Sequence, residues 1–294
     1  MTQEQPVRQA DRLSASEITQ VLDLAAAAEK ADGVYPLSED VVLRVRGGAS
    51  PGAVHLLTDA GYAFLDRTDP EGPGGELVVH PEHRREGHGT ALLTAAGPGP
   101  LRFWAHGDEP GAQAFAEKNG FARARVLWQM RRSLTEPLPS VPLPEGVTVR
   151  HFRPGHDEQA WLAVNGRAFA HHPEQGRWTL DDVRLREAEP WFDPAGFLLA
   201  VDIADTLLGF HWTKVHPATA TDPALGEIYV LGVDPGGHRR GLGAALSVAG
   251  LEHLASTGLT TASLYVDESN TAAVALYRRL GFDVYKTDIN YQRG

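Results

Sequence analysis

Short runs rich in apolar and β-branched residues alternate along this chain with longer stretches of good helix formers. GELVV at 75–79 and EIYVL at 227–231 read as strands, each followed closely by a turn, at His80-Pro81 and Asp234-Pro235. After a glycine-containing turn, residues 90–95 and 244–249 carry an apolar stripe and predict helices. A further strand follows at 101–104 and at 262–266, then another helix, a Gly-Phe turn and a last strand-like run of alternating character, RARVLWQMRR at 123–132 and DVYKTDINYQR at 283–293. Strand, glycine turn, helix, strand, helix, strand predicts a mixed α/β (α+β) layer fold.

The same order of elements occurs twice, and the residues match as well. VHPEHRREGHGTALL begins at Val79 and VDPGGHRRGLGAALS at Val233, so Pro81 aligns with Pro235, Gly87 with Gly241 and Gly89 with Gly243. Further on, KNGF at 118–121 aligns with RLGF at 279–282. Three landmarks in one order predict a duplicated domain. Between the copies, TEPLPSVPLPEGVT at 135–148 places four prolines in fourteen residues, which blocks helix and central strand and predicts a linker. The expected organisation is an N-terminal domain over 1–136, a proline-rich linker over 137–147 and a C-terminal domain over 148–294.

Composition narrows the function classes. Of 294 residues, 42% are hydrophobic and 22% charged, enough apolar material for packed cores. The 38 acidic against 27 basic residues give a net charge of −11, which disfavours a nucleic-acid partner. There is no cysteine, so thiolate metal sites, disulfides and cysteine nucleophiles are excluded. The first residues lack the apolar core of a signal peptide, and no apolar run reaches the roughly 18 residues needed to span a bilayer. A cytoplasmic protein without a membrane partner is expected, acting as a monomer.

The glycine turns carry the chemistry. Arg84-x-x-Gly87-x-Gly89 and His238-x-x-Gly241-x-Gly243 each follow a strand and open a helix. The first N–H groups of a helix lack internal partners, the helix dipole adds partial positive charge, and glycines let an anion approach the backbone. Arg85, Arg239 and Arg240 add full charges. A Walker loop would need Gly-Lys-Ser/Thr, and a dinucleotide fingerprint a third glycine; the second copy reads GLGAAL and has neither. A pyrophosphate cradle of another kind is expected.

The stretch from Val233 to Gly243 resembles the acyl-CoA-binding motif of the GNAT acetyltransferases, Gln/Arg-x-x-Gly-x-Gly/Ala after a central strand; His238 departs from it, whereas Arg84 keeps it. Asn270-Thr271-Ala272-Ala273-Val274-Ala275-Leu276-Tyr277, followed by Gly281-Phe282, is similar to a second landmark of that family. DGVYPLSE at 32–39, AFAHHPEQG at 168–176 and EIYVLGVDP at 227–235 make the whole chain look like the tandem GNAT enzymes of mycothiol biosynthesis. The resemblance implies two GNAT domains and acetyl-CoA as co-substrate. It implies acetylation of the cysteinyl amine of desacetyl-mycothiol (Cys-GlcN-Ins). Acetyl-CoA contacts are expected at Leu231, Gly232, Val233, His238, Arg239, Arg240, Gly241, Leu242, Gly243, Ala244 and the run Asn270 to Ala275. In the first copy the corresponding set is Leu77, Val78, Val79, Arg85, Glu86, Gly87, His88, Gly89 and Thr90.

Acetyl transfer to an amine needs a base and an acid for the departing thiolate. An α-amino group, with a pKa near 8, is partly neutral already, so a modest base suffices, and a phenol remains an acid at neutral pH. Glu227, at the start of the central strand, is expected as base. Tyr277, at the position of the family's acid, is expected as acid. Counting from the landmarks puts Pro73 opposite Glu227, Ala116 opposite Tyr277 and Glu109 opposite Asn270, so the N-terminal copy keeps the cradle and lacks the chemistry. By resemblance, Glu39, Glu174, Lys214, Glu227 and Tyr265 are expected to hold the pseudo-disaccharide. His151, His156, His171 and His172 do not form a HExxH helix, and no metal is expected. Two other readings stay open: a tandem GNAT acting on another small-molecule or peptide amine, and a non-catalytic acyl-CoA sensor.

Overall fold

The structure is a computed structural model, and it describes residues 5–47, 51–68, 72–171, 175–219, 222–237 and 241–294. In chain order the first elements are β1 (Arg8–Ala10), α1 (Ala15–Asp32), α2 (Glu39–Val45), β2 (Ala53–Thr58), β3 (Gly61–Asp66), β4 (Gly74–Val79), α3 (His88–Ala96), β5 (Leu101–Ala105), α4 (Pro110–Lys118) and β6 (Ala122–Ser133). After them come β7 (Thr148–His151), α5 (Glu158–Ala168), α6 (Leu180–Glu187), β8 (Phe197–Val201), β9 (Leu207–His216), β10 (Leu225–Val233), α7 (Leu242–Ser256), β11 (Thr261–Asp267), α8 (Thr271–Arg279) and β12 (Asp283–Arg293). The strands and helices read from the sequence are all present, with α7 longer than the stretch that predicted it.

Two compact units divide the chain, and they are not simply its two halves. One unit holds Met1–Leu127 with Lys286–Gly294; the other holds Trp128–Tyr285. The repeated segments at 1–136 and 148–294 therefore exchange their last strands. In the first unit the strand order is β1-β2-β3-β4-β5-β12, with β12 antiparallel to β5 from Ile289↔Ala105 to Arg293↔Leu101. In the second it is β6-β11-β10-β9-β8-β7. Between Ser133 and Thr148 there is no helix or strand, and Leu138 and Val141 pack against the second unit's core.

Each sheet is mixed: β4 runs parallel to β5 and β10 parallel to β11, while their other pairings are antiparallel. Neighbouring residues of a strand point to opposite faces, so one strand feeds two cores. In β2, Leu57 joins Val21, Leu24 and Ala28 of α1, whereas Leu56 joins Leu92 and Leu93 of α3. In β8, Leu199 packs with Trp161 of α5 and Trp212, whereas Ala200 packs with Leu242 and Leu246 of α7. This is why the strands carry apolar runs as well as alternation: both faces are covered by helices.

Local signals place the helix ends. Ser14 and Glu17 form a capping box at the start of α1, and Gly33 ends it at φ 72°. Among the described residues, no helix is long and apolar enough to cross a membrane.

Candidate active site

In the second unit the site is built around β10. Glu227 is paired across the sheet with Lys214 on β9 and with Ser263 on β11, and Leu225 with His216. Paired residues share a face, and residues two apart share it too. Lys214, His216, Glu227, Ser263 and Tyr265 therefore lie on one face. Glu227 is buried at 6% exposure, and its Oε2 lies 2.5 Å from His216 Nε2. Lys214 is buried as well, with Nζ 4.7 Å from the Trp191 ring centre and 5.1 Å from that of Tyr229. The Tyr229 hydroxyl accepts a hydrogen bond from Arg186 Nε at 2.7 Å, and the Arg186 guanidinium lies 3.8 Å from the Trp178 ring centre. Aromatic faces lower the cost of these buried cations. Tyr265 is exposed.

The β10–β11 ladder covers only Gly226–Ile228, whereas β10 continues beside β9 to Val233. Strand residues direct their backbone groups alternately to either side. Part of the N–H and C=O groups of Tyr229–Val233 thus face an edge that no strand among the described residues occupies. A bulge between Ile228 and Val230 breaks the β9 register at the same place. At the far end of β10, Arg167 holds Asp234, with Nη2 2.5 Å from Oδ2, and so anchors the turn into α7. Gly241 starts that helix at φ 89° and brings no side-chain cap, which leaves the N–H groups of its first turn for another acceptor. A side chain at Gly232 would collide with the Phe210 ring, 2.7 Å from its Cβ position, so the close approach of the strands requires glycine there.

Tyr277 lies on α8. It is buried, packs edge-on to Phe282 with ring centres 5.9 Å apart, and burial pushes its phenol up to about 12. Asn270 caps the same helix, its Oδ1 accepting from the Ala273 N–H at 3.2 Å. Thr271, Ala272, Ala273, Val274 and Ala275 form the first turns of α8. Glu174, His238, Arg239 and Arg240 lie outside the described residues.

The first unit repeats the cleft. Its β4–β5 ladder covers Gly74–Glu76, so Leu77–Val79 flank an open edge, and Gly87 starts α3 at φ 103° without a side-chain cap. Arg84 is engaged by Asp32 through two contacts of 2.8 and 2.5 Å. His88 turns inward and shares a 2.9 Å hydrogen bond with Thr58, so only its backbone can serve a ligand at the cradle. Arg85 has φ 70°, a left-handed conformation unusual for a residue with a side chain.

Ala116 is buried where α8 has Tyr277, and Glu109 leads α4 without a side-chain cap where Asn270 caps α8. Strand pairing corrects one sequence alignment. Gly74 pairs with Arg102 as Glu227 pairs with Ser263, and Arg102 and Ser263 stand equally far ahead of the two Gly-Phe turns. Gly74, not Pro73, is therefore the counterpart of Glu227; the bulged residue in β10 accounts for the shift. Glu39 begins α2 in this unit, next to Ser38, whose N–H donates to Glu76 Oε2 at 2.8 Å.

His216, Trp191 and Arg186 had not been singled out from the sequence. Among the described residues, no group of three or more His, Asp or Glu is arranged to hold a metal ion.

Comparison with known proteins places this geometry. The acetyltransferase (GNAT) family model matches residues 161–282, and a GNAT domain model matches 50–123. The mycothiol acetyltransferase of Salinispora arenicola is 58% identical over 98% of this chain and 96% of its own length. That of Thermobispora bispora is 56% identical over 93% and 95%. Among solved structures, a GCN5-related N-acetyltransferase from Sphaerobacter thermophilus is 26% identical with a TM-score of 0.67, covering 98% of this chain and 95% of that one. A tandem GNAT protein from the clavulanic acid biosynthesis pathway is 20% identical with a TM-score of 0.70, covering 98% of both chains, and supports the fold alone.

Proposed function

The chain belongs to the mycothiol acetyltransferase family, a tandem GNAT family of acetyl-CoA-dependent N-acetyltransferases, and from that membership we propose that it moves the acetyl group of acetyl-CoA to the cysteinyl amine of desacetyl-mycothiol, giving mycothiol and CoA. The proposal assigns the chemistry to the second unit. Acetyl-CoA fits the cleft by its chemistry: the open edge of Tyr229–Val233 offers backbone partners to an extended amide chain, and the uncapped start of α7 suits a pyrophosphate.

The amine attacks the thioester carbon in its neutral form, and Glu227 takes the proton that the nitrogen sheds as the amide forms. The N–C bond forms, the C–S bond breaks, and the sulfur leaves with the electron pair. Backbone N–H groups of Leu231 to Val233 polarise the carbonyl oxygen. Tyr277 meets the departing sulfur. With its phenol pushed up to about 12, above the range of thiols, full proton transfer from Tyr277 to the thiolate is uphill. Tyr277 therefore acts first as a hydrogen-bond donor to the developing charge, and CoA leaves as the thiol once the proton taken up by Glu227 reaches the sulfur. Lys214 and Tyr265, on the same face as Glu227, hold hydroxyl groups of the acceptor. The first unit, with Gly74 and Ala116 at the two chemical positions, holds a cradle without turnover.

The observation that carries this reading is Glu227 itself: a buried carboxylate on the strand where the β10–β11 ladder ends, in a chain similar to its relatives from end to end. Steady-state kinetics of Glu227→Gln test it. kcat is expected to fall by about 10²–10³-fold with the KM for acetyl-CoA little changed. Full turnover by that variant would remove Glu227 as the base.

A further inference from the structure

Glu227 is a held carboxylate. Its Oε2 is 2.5 Å from His216 Nε2, while its Oε1 makes no hydrogen bond with a described residue. The two side chains come from adjacent strands, β9 and β10, and the register sets them on one face: His216 lies across from Leu225, two residues before Glu227. They also differ in exposure. The Glu227 side chain is 8% exposed and that of His216 37%. A buried carboxylate with one oxygen fixed can rotate little about its last torsion, so the second oxygen has a defined direction. That is what a base needs, because proton abstraction depends on geometry before it depends on basicity.

We propose that His216 is a positioning residue for acetyl transfer: it donates its Nε2–H to Glu227 Oε2 and leaves Oε1 free for the amine. The proposal rests on Glu227 being the base. Among the described residues, the charged or titratable groups on this face and against it include Lys214 on β9, Tyr229 on β10, Tyr265 on β11, Arg186 on α6 and, acting on Tyr265, Arg131 on β6 with its partner Asp222. None of these groups is changed in the test, so their influence is common to all variants.

The test compares wild type, His216→Phe, His216→Gln and Glu227→Gln as intact chains, with acetyl-CoA and desacetyl-mycothiol. Phenylalanine keeps the ring and removes the donor; glutamine restores a donor at similar reach. His216→Phe is expected to lower kcat by about 30-fold, the usual scale for one hydrogen bond to a charged group. Its KM for acetyl-CoA stays within about 2-fold. His216→Gln is expected to recover most of kcat. In a Glu227→Gln background, His216→Phe changes nothing further, because its effect runs through the carboxylate. Wild-type kcat in His216→Phe overturns the proposal. So does a glutamine variant as impaired as the phenylalanine one, or an additive loss in the double variant. If His216→Phe does not fold, His216→Asn, too short to reach Oε2, takes its place with the same expectations. Loss in Glu227→Gln without loss in His216→Phe overturns the role of His216 alone; full activity in Glu227→Gln overturns the base assignment beneath it.

Discussion

A phenol pushed up to about 12 by burial stays protonated throughout the range in which acetyl-CoA is handled. Tyr277 therefore contributes no ionisation to the pH–rate profile at neutral pH. Tyr277→Phe is expected to lower kcat by roughly 10–100-fold with the KM for acetyl-CoA little changed, read by steady-state kinetics. Undiminished turnover in the phenylalanine variant would remove Tyr277 from the reaction. The expectations for Glu227 and Tyr277 both came from position: Glu227 opens the strand run ahead of the glycine turn, and Tyr277 stands in the second landmark shared with the family. Lys214 was legible only through family resemblance. His216 was not legible at all: its partnership with Glu227 exists only once β9 and β10 are paired in register, and Trp191 reaches Lys214 from a loop with no periodicity to announce it.

The site depends on how closely its supporting elements approach. Gly250 of α7 lies over His211 of β9, and a Cβ on that glycine would stand 2.0 Å from the imidazole. His211 is fully buried, held at Nδ1 by the Leu246 carbonyl at 2.7 Å, and burial lowers its pKa to about 4, so the ring is neutral. It has nowhere to move. Gly250→Ala is expected to destabilise the protein by about 1–3 kcal/mol, the usual range for overpacking a core, read as a lower midpoint in thermal or urea unfolding. An unchanged midpoint would mean that α7 shifts freely over the sheet. The apolar pattern predicted a helix over 244–249, which stops just short of Gly250, and did not single out β9. The bulge in β10 was equally hidden. It adds one residue between Glu227 and the cradle, which is why counting along the sequence reached Pro73 where strand pairing reaches Gly74.

At the scale of the molecule, duplication was written in the paired glycine turns and Gly-Phe turns, but strand exchange was not. The alternating runs at 123–132 and 283–293 announce a last strand for each copy without saying which sheet receives it. In the first unit, the received strand brings Asp288, whose Oδ2 lies 3.0 Å from His106 Nδ1 and whose Oδ1 accepts from the Gly107 N–H at 2.9 Å. On its other side, His106 Nε2 lies 3.3 Å from Glu76 Oε1. Burial opposes a charge on His106, but the two carboxylates outweigh it and push the imidazole up to about 10. A raised pKa stabilises the folded state fully below the unfolded value near 6.5, and that contribution is lost as pH rises toward about 10. The protection of β12 amides against hydrogen exchange is expected to weaken between pH 7 and 10, beyond the intrinsic rise in exchange rate. His106→Gln is expected to remove that pH dependence and to lower protection at pH 7. Equal slopes in both proteins would show that His106 does not carry the linkage.

The central claim is one reaction in one unit, and release of free CoA thiol tests it most directly. Wild type is mixed with acetyl-CoA and either desacetyl-mycothiol or a panel of other primary amines, with Glu227→Gln run alongside. Sustained thiol release with desacetyl-mycothiol, little with the other amines, and a loss of about 10²–10³-fold in Glu227→Gln are the predicted results. Turnover that favours another amine, or release undiminished by the Glu227 substitution, would contradict the account.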